Sequence, residues 1–275
     1  MTDSDRIAVI TPVSGRQDHL RRQEEGLRRG TRRPDVRVIA AMGARPRIDR
    51  DCRVLDIAVS EGLPLARARN QGAQAALDEG ADVLVFLDVD CIPGDELVGR
   101  YARAATAGHG LMCGGVSYLP PPPIGGYDMA TLMQRPIGHP ARPVPPEDGL
   151  LRHGDHRLFW SLSFALTAAD WARVGGFCEQ YVGYGGEDTD FGQAAAAAGV
   201  EMTWVGGAWA FHQYHPTEDP PVQHLDDILR NAAIFQRRWG WWPMRGWLDE
   251  FARRGLARFD PVAQTWVAGQ ASAAV

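Results

Sequence analysis

Val83-Leu84-Val85-Phe86-Leu87-Asp88-Val89-Asp90 runs five apolar residues into two carboxylates spaced by one. A continuous apolar run of that length reads as a parallel strand buried on both faces. Cys91-Ile92-Pro93-Gly94 breaks the chain straight afterwards, so the acids sit at the strand's C-terminal rim. In open α/β sheets that rim is where ligands bind. Two carboxylates so spaced can share a hard divalent cation, and such a cation can hold a diphosphate. The other reading of two aspartates after a strand is a turn or a helix cap.

Working outward, apolar runs alternate with helical patterns. Strands are expected at Ile7–Pro12, Val36–Met42, Val54–Val59 and Val83–Leu87, and helices at Pro64–Glu79 and Asp95–Ala107. The alternation predicts an α/β domain with a mostly parallel central sheet and right-handed crossovers. Residues 1–118 form its first half. Residues 119–154 carry Pro120–Pro123 and five further prolines, and read as a long loop, either a cover over the site or a surface excursion. Residues 155–221 complete the domain, with a strand at Leu158–Thr167, helices at Ala168–Val174 and Asp188–Ala198, and a strand at Glu201–Phe211. Residues 222–260 read as a helical, Trp-rich extension. Leu225, Ile228, Leu229, Ala232, Phe235 and Trp239 recur there at helical spacing, and Trp241, Trp242 and Trp247 follow. Those tryptophans suit core packing or a sugar-stacking platform. Residues 261–275 read as a disordered tail.

Composition removes several classes. The chain has 275 residues, 45% of them hydrophobic, and a net charge of −5, which gives no general attraction to nucleic acid. All 29 basic residues are arginine. Without lysine there is no Walker-type phosphate loop and no Schiff-base chemistry. Arginines crowd residues 16–33, which reads as a solvated helix face. The four cysteines have no CxxC pair and suit a reducing compartment. Cys91 beside the aspartates is a minor candidate for a thiol nucleophile. No signal pattern or membrane-length apolar run is visible, so a cytoplasmic protein without an integral membrane segment is expected.

A second acidic motif, Gly185-Gly186-Glu187-Asp188-Thr189-Asp190, opens a helix. Acids there complement the helix dipole. The preceding glycines let backbone approach a ligand closely, and a partly dehydrated carboxylate could take a proton from a hydroxyl. His212 and His215 then lie three apart at a strand end. Aspartate, histidine and phosphate oxygens together suit Mn2+, with Mg2+ the second choice, because Mg2+ rarely takes imidazole and Ca2+ prefers oxygen alone.

Val85–Pro93 and Gly183–Asp190 resemble the two signature motifs of GT-A glycosyltransferases, nearest the β-1,4-galactosyltransferase and chondroitin-synthase-like branch. Phe164-Ala165-Leu166-Thr167 with Gly176-Phe177 matches the approach to the second motif. Thr11–Arg16 and Ala66–Gly72 resemble the nucleotide-binding segments, and the likeness spans residues 6–216. The resemblance implies a single GT-A domain and a metal-dependent inverting transfer from a nucleotide-sugar, UDP-linked by preference, to a hydroxyl of a glycan, a lipid-linked sugar or a small molecule. It implies Asp188 as general base, with Glu187 orienting acceptor or donor. Asp90 and one or both of His212 and His215 would hold Mn2+. Asp88 would meet the donor ribose or the metal. Thr11, Pro12 and Arg16 would border the nucleotide, and Arg67 and Asn70 its base or ribose. Tyr184 stands where the galactosyltransferases carry tryptophan. A sugar-phosphate nucleotidyltransferase, or a nucleotide-sugar-binding protein without activity, are the competing readings.

Overall fold

The computed structural model describes residues 5–48, 52–108, 110–132 and 136–269. Its first half comprises β1 (Ile7–Val13), α1 (Gln17–Arg29), β2 (Val36–Met42), β3 (Arg53–Ile57), α2 (Leu65–Asp78) and β4 (Val83–Leu87). These strands lie in the order β3-β2-β1-β4 and all pair parallel. The second half adds β5 (Cys91–Pro93), α3 (Leu97–Thr106), β6 (Leu111–Tyr118), the short α4 (Met129–Leu132), β7 (Leu150–Leu151), β8 (Ser163–Thr167), α5 (Ala168–Val174), α6 (Glu187–Ala197) and β9 (Met202–His212). It continues the sheet as β8-β6-β9-β5, with β7 against β9. β8 enters antiparallel between β4 and β6, and the β6–β9 pair returns to parallel. The mixed α/β class and its central sheet agree with the expectation from sequence. Among the described residues, every antiparallel strand pairing of this sheet involves a strand of the second half, β5, β7 or β8.

The alternation along β4 shows why its residues are all apolar. Leu84 and Phe86 face one layer with Ala66, Ala73 and Ala76 of α2, Trp171 of α5 and Phe191 of α6. Val83, Val85 and Leu87 face the other, with Leu27 of α1 and Leu97 and Tyr101 of α3. Both faces are covered, so no position along the strand can be polar. Beneath α6, Phe86 stacks on Phe164 at 4.5 Å and Phe177 on Phe191 at 4.1 Å. Such pairs add about 0.5–1.5 kcal/mol each beyond area burial.

Residues 119–154 are not a free excursion. Leu150 and Leu151 pair with Val205 and Trp204 at the edge of β9. Arg142 is buried, its guanidinium 5.0 Å from the Trp160 ring and 4.7 Å from that of Trp204. The segment also packs toward the end of β9, where the Tyr214 N–H donates to the Tyr127 hydroxyl at 3.2 Å.

The extension holds α7 (Leu225–Trp239) and α8 (Arg245–Arg253), as the spacing of apolar residues anticipates, and then a hairpin of β10 (Ala257–Asp260) and β11 (Thr265–Ala268). The hairpin corrects the expectation of disorder over 261–275 as far as residue 269; residues 270–275 lie outside the described residues. Trp266 explains it, being buried with Ile228, Leu248 and Phe251. One aromatic anchor docks the tail, while Val262 at the hairpin turn stays exposed. Among the described residues no helix is long and apolar enough to cross a membrane.

The β6–β9 pair shifts register between Gly114 and Val116. A Cβ on Gly114 would meet the Ala208 carbonyl oxygen far inside contact distance. Gly114→Ala is therefore expected to cost about 1–3 kcal/mol, read as a lower urea midpoint at unchanged m-value.

Candidate active site

The loop after β4 is fixed by amides rather than by its own acids. Gln23 of α1, fully buried, donates from Nε2 to the carbonyls of Asp88 at 2.7 Å and Cys91 at 3.1 Å. Its Oε1 accepts from the Thr11 hydroxyl at 2.9 Å, which sets the amide's orientation. Thr11 and Pro12 are thus buried behind the acidic loop. On the far side the Gln213 N–H donates to the Asp90 carbonyl at 2.7 Å. β5 runs antiparallel to β9 with Cys91 opposite His212, so sheet register alone brings the second aspartate to the histidines. Burial pushes the Cys91 thiol well up, which removes it as a nucleophile.

Asp90, His212 and His215 each offer a ligand atom, and these atoms lie within 4.8 Å of one another. His212 Nε2 is 3.7 Å from Asp90 Oδ1, and His215 Nε2 is 3.5 Å from Oδ2. Burial would raise the Asp90 carboxyl, but the hydrogen bond from His215 and the charges of His212 and Arg16 together bring it down to about 2. Burial lowers His212, which favours the neutral ring a metal requires. One carboxylate and two imidazoles could together hold a divalent cation. Arg16, held at φ 50° and ψ 40° ahead of α1, places Nη1 2.6 Å from Asp90 Oδ2.

Asp88 is not in that cluster. Its Oδ1 lies 3.0 Å from Nη2 of Arg69, and Nη1 of the same guanidinium is 3.5 Å from Glu187 Oε1. Arg69 is only 2% exposed and lies 5.2 Å over the Phe177 ring. Burial raises Asp88 and Asp188, and with the charge of Asp188 it brings Glu187 up to about 7. Asp188 Oδ1 accepts from the Thr189 N–H at 2.7 Å.

The second motif depends on glycine. Gly183, Gly185 and Gly186 take φ of 75°, 90° and 93°, which side chains rarely adopt. Helix α7 then grips the loop. Asn231 Nδ2, from a fully buried side chain, donates to the carbonyls of Val182 at 3.1 Å, Tyr184 at 3.2 Å and Gly185 at 2.9 Å. Asp190 Oδ1 accepts from Arg238 at 2.7 Å, Trp239 at 2.7 Å and Tyr181 at 3.1 Å.

Arg67 and Asn70, expected near the nucleotide, make contacts with the loop before the second motif. Asn70 exchanges hydrogen bonds with the Phe177 backbone at 2.8 and 2.9 Å, and Arg67 pairs with Glu179 at 3.0 Å. They tie α2 to the loop before the second motif. Arg69, Gln23, Gln213 and Asn231 are absent from the residues singled out by sequence. For Arg69 a signal existed, because it shares the buried helical face of Ala66, Gly72, Ala73 and Ala76. An arginine on an apolar stripe must have buried carboxylate partners.

Residues 153–218 match the family described as the N-terminal domain of galactosyltransferase. The chain is 31% identical, over a 208-residue alignment, to validoxylamine A glucosyltransferase of Streptomyces hygroscopicus subsp. jinggangensis; the alignment takes in 64% of this chain and 45% of that protein. It is 29% identical to the enzyme of the same name from subsp. limoneus, covering 64% and 42%. The chain thus spans less than half the length of these curated relatives. Among solved structures, the catalytic domain of Drosophila β1,4-galactosyltransferase 7 in complex with xylobiose matches at 18% identity and a TM-score of 0.47, over 76% of this chain and 71% of that one. Residues 153–218 are thus similar to a galactosyltransferase domain, and a longer stretch of the chain is similar to glucosyltransferases.

The carboxyls of Asp88, Glu187 and Asp188 are all raised, so each binds its proton more tightly in the folded chain than in the unfolded one. Their support of the fold is full at low pH and is lost as pH rises, for Glu187 through about 7. Arg69→Met removes the opposing cation. It is expected to cost about 3–5 kcal/mol near neutrality and above, as for a broken buried pair, and distinctly less near pH ~5, measured by denaturation at both pH values.

Proposed function

Starting from this kinship with glycosyltransferases, we propose that the chain catalyses a metal-dependent, inverting transfer of a hexose from a nucleoside diphosphate sugar, UDP-linked by preference, to an acceptor hydroxyl. The observation that carries the reading is the adjacency of two sets of groups at one sheet edge. The Asp90–His212–His215 cluster is one, and the acid pair Glu187–Asp188, linked to it through Asp88 and Arg69, is the other.

Asp90, His212 and His215 would hold Mn2+, which when bound neutralises charge on the departing diphosphate. Arg16 is 37% exposed, so its guanidinium can turn from Asp90 toward an anionic donor, where it contributes a fixed positive charge. Arg69 holds Asp88 and Glu187 at a set separation and keeps both acids compatible with a dry site. Asp188 takes the proton of the acceptor hydroxyl as that oxygen attacks the anomeric carbon. The bond from that carbon to the diphosphate oxygen breaks in the same displacement, so configuration inverts and a nucleoside diphosphate leaves. A base raised by burial is better matched to a hydroxyl proton near neutral pH than an ordinary aspartate. Glu187 shares the pair's charge and orients a substrate hydroxyl. The relatives bear the name of enzymes that glucosylate validoxylamine A, and on that ground we take the small-molecule acceptor class over glycans and lipid-linked sugars.

Thermal shift with UDP, GDP and dTDP is expected to show stabilisation by UDP only when Mn2+ is present, and none in Asp90→Ala. A response to UDP that ignores Mn2+, or that survives in Asp90→Ala, would overturn the assignment of the metal cluster. Asp188→Asn is expected to lower kcat about 10²–10⁴-fold while keeping the UDP response, measured as release of UDP from UDP-glucose and UDP-galactose with candidate acceptors.

A further inference from the structure

The C-terminal extension brings tryptophans whose fates differ. Trp239 donates to Asp190, Trp241 packs on Phe235 at 4.6 Å, and Trp242 meets Phe259 at 6.1 Å. Trp247 packs against the core of the extension and also reaches the second motif, its ring 5.9 Å from that of Tyr184. The imidazole of His224 stacks on the same tyrosine at 4.5 Å, with planes 11° apart. Tyr184 remains 40% exposed, and His224 and Trp247 are partly exposed. Three rings from three separate segments therefore meet at the surface four residues before Asp188.

The backbone is strained to make this meeting. Met244, ahead of α8, takes φ 51° and ψ 35°, a conformation costly for a residue with a side chain. Its carbonyl accepts from the Trp247 N–H at 2.9 Å, and its sulfur lies only 2.9 Å from where a Cβ on Gly185 would sit. The strained residue thus couples the start of α8 to the glycine loop and sets the Trp247 ring beside Tyr184. On the other side, Asn231 holds the Tyr184 carbonyl and Asp227 accepts from its N–H at 3.2 Å. Trp247 thus packs with one part against the core of Leu248 and Phe251 and leaves the rest of its ring partly exposed beside Tyr184.

Resting on the glycosyl-transfer reading, we infer that Trp247 and His224 are specificity-determining residues, which with Tyr184 form an aromatic wall for the acceptor. The ligand class is a cyclic polyol, a pyranose or cyclitol, whose ring C–H face lies on the aromatic surfaces while its hydroxyls reach Asp188 and water. Aromatic side chains suit this task because they offer area at low conformational cost and leave polar edges free. The carboxylates of Asp188 and Glu187 lie near enough that, after burial, their charge raises the Tyr184 hydroxyl. An open-chain polyol, which has no flat apolar face, is discriminated against.

The test is saturation-transfer NMR of p-nitrophenyl β-glucoside, methyl β-glucoside and xylitol on the whole chain with UDP and Mn2+, comparing the parent with Trp247→Ala, Trp247→Phe and His224→Ala. The expected result is ring-proton transfer from both glucosides and little from xylitol, a fall of about fivefold or more in Trp247→Ala and His224→Ala, and retention in Trp247→Phe. UDP-dependent thermal stabilisation is followed in each variant to show that it is folded. Equal transfer to xylitol, or unchanged glucoside signals in both alanine variants, overturns the wall. No glucoside signal in a parent that still responds to UDP overturns it as well. Absence of the UDP response in the parent itself sinks the donor reading, a separate failure.

Discussion

A guanidinium with almost no access to water, set between carboxylates from two distant parts of the chain, is the constraint on which the site rests. Arg69 reaches Asp88 after β4 and Glu187 at the start of α6, and neither acid could be so buried without it. A single unpaired charge there would cost several kcal/mol. Burial opposes the charge of Arg69, yet Asp88, Glu187 and Asp188 outweigh it and hold the guanidinium above its usual range. The pair is therefore mutual: α2 supplies the cation because β4 and α6 deliver the acids. Lysine would serve poorly, since one ammonium cannot span two carboxylates with fixed, planar donors.

Around that centre, position is set mainly by neutral groups. Gln23 and Asn231 are buried amides that donate to backbone carbonyls of the two acidic loops, and Gln213 joins its amide to the His19 carbonyl of α1 while its backbone N–H holds the Asp90 carbonyl. Each fixes a loop without adding charge to a site already crowded with it. Asn231 belongs to the extension, as do Arg238 and Trp239 on Asp190, so residues beyond β9 are part of the site's construction. The hairpin held by Trp266 in turn packs against α7 and α8.

What the sequence shows and hides follows from the range of each interaction. Strands such as Val36–Met42 and the helix at Ala168–Val174 are legible because a local pattern of apolar residues determines them. The acidic motifs are legible because chemistry concentrates in a few adjacent residues. The protein contacts of Arg67 and Asn70 are not, since the partners Glu179 and Phe177 lie over a hundred residues away and nothing local announces them. Adjacent arginines on one helix, Arg67 and Arg69, have opposite environments, and only the helical period separates them. The tail over 261–269 misled because its composition is that of a loose end, while one tryptophan and a complementary apolar surface decide its order.

Charge balance gives the last step. Asp88, Asp90, Glu187 and Asp188 face two guanidiniums, those of Arg16 and Arg69. Charge is thus in deficit by two if all four acids ionise. The fold meets part of that deficit by raising Glu187 to about 7, so that the acid pair keeps a share of one proton near neutrality. It leaves Asp90 fully ionised, near 2, beside two imidazoles. Asp90 and the pair on α6 are therefore tuned in opposite directions by environment alone, with Asp88 raised like the pair. On the proposed reading, Asp90 would be the anion that meets a cation and the pair on α6 the groups that move a proton. Such a divergence is what the proposed chemistry would call for, since holding a cation at one point and moving a proton at another place opposite demands on neighbouring carboxyls.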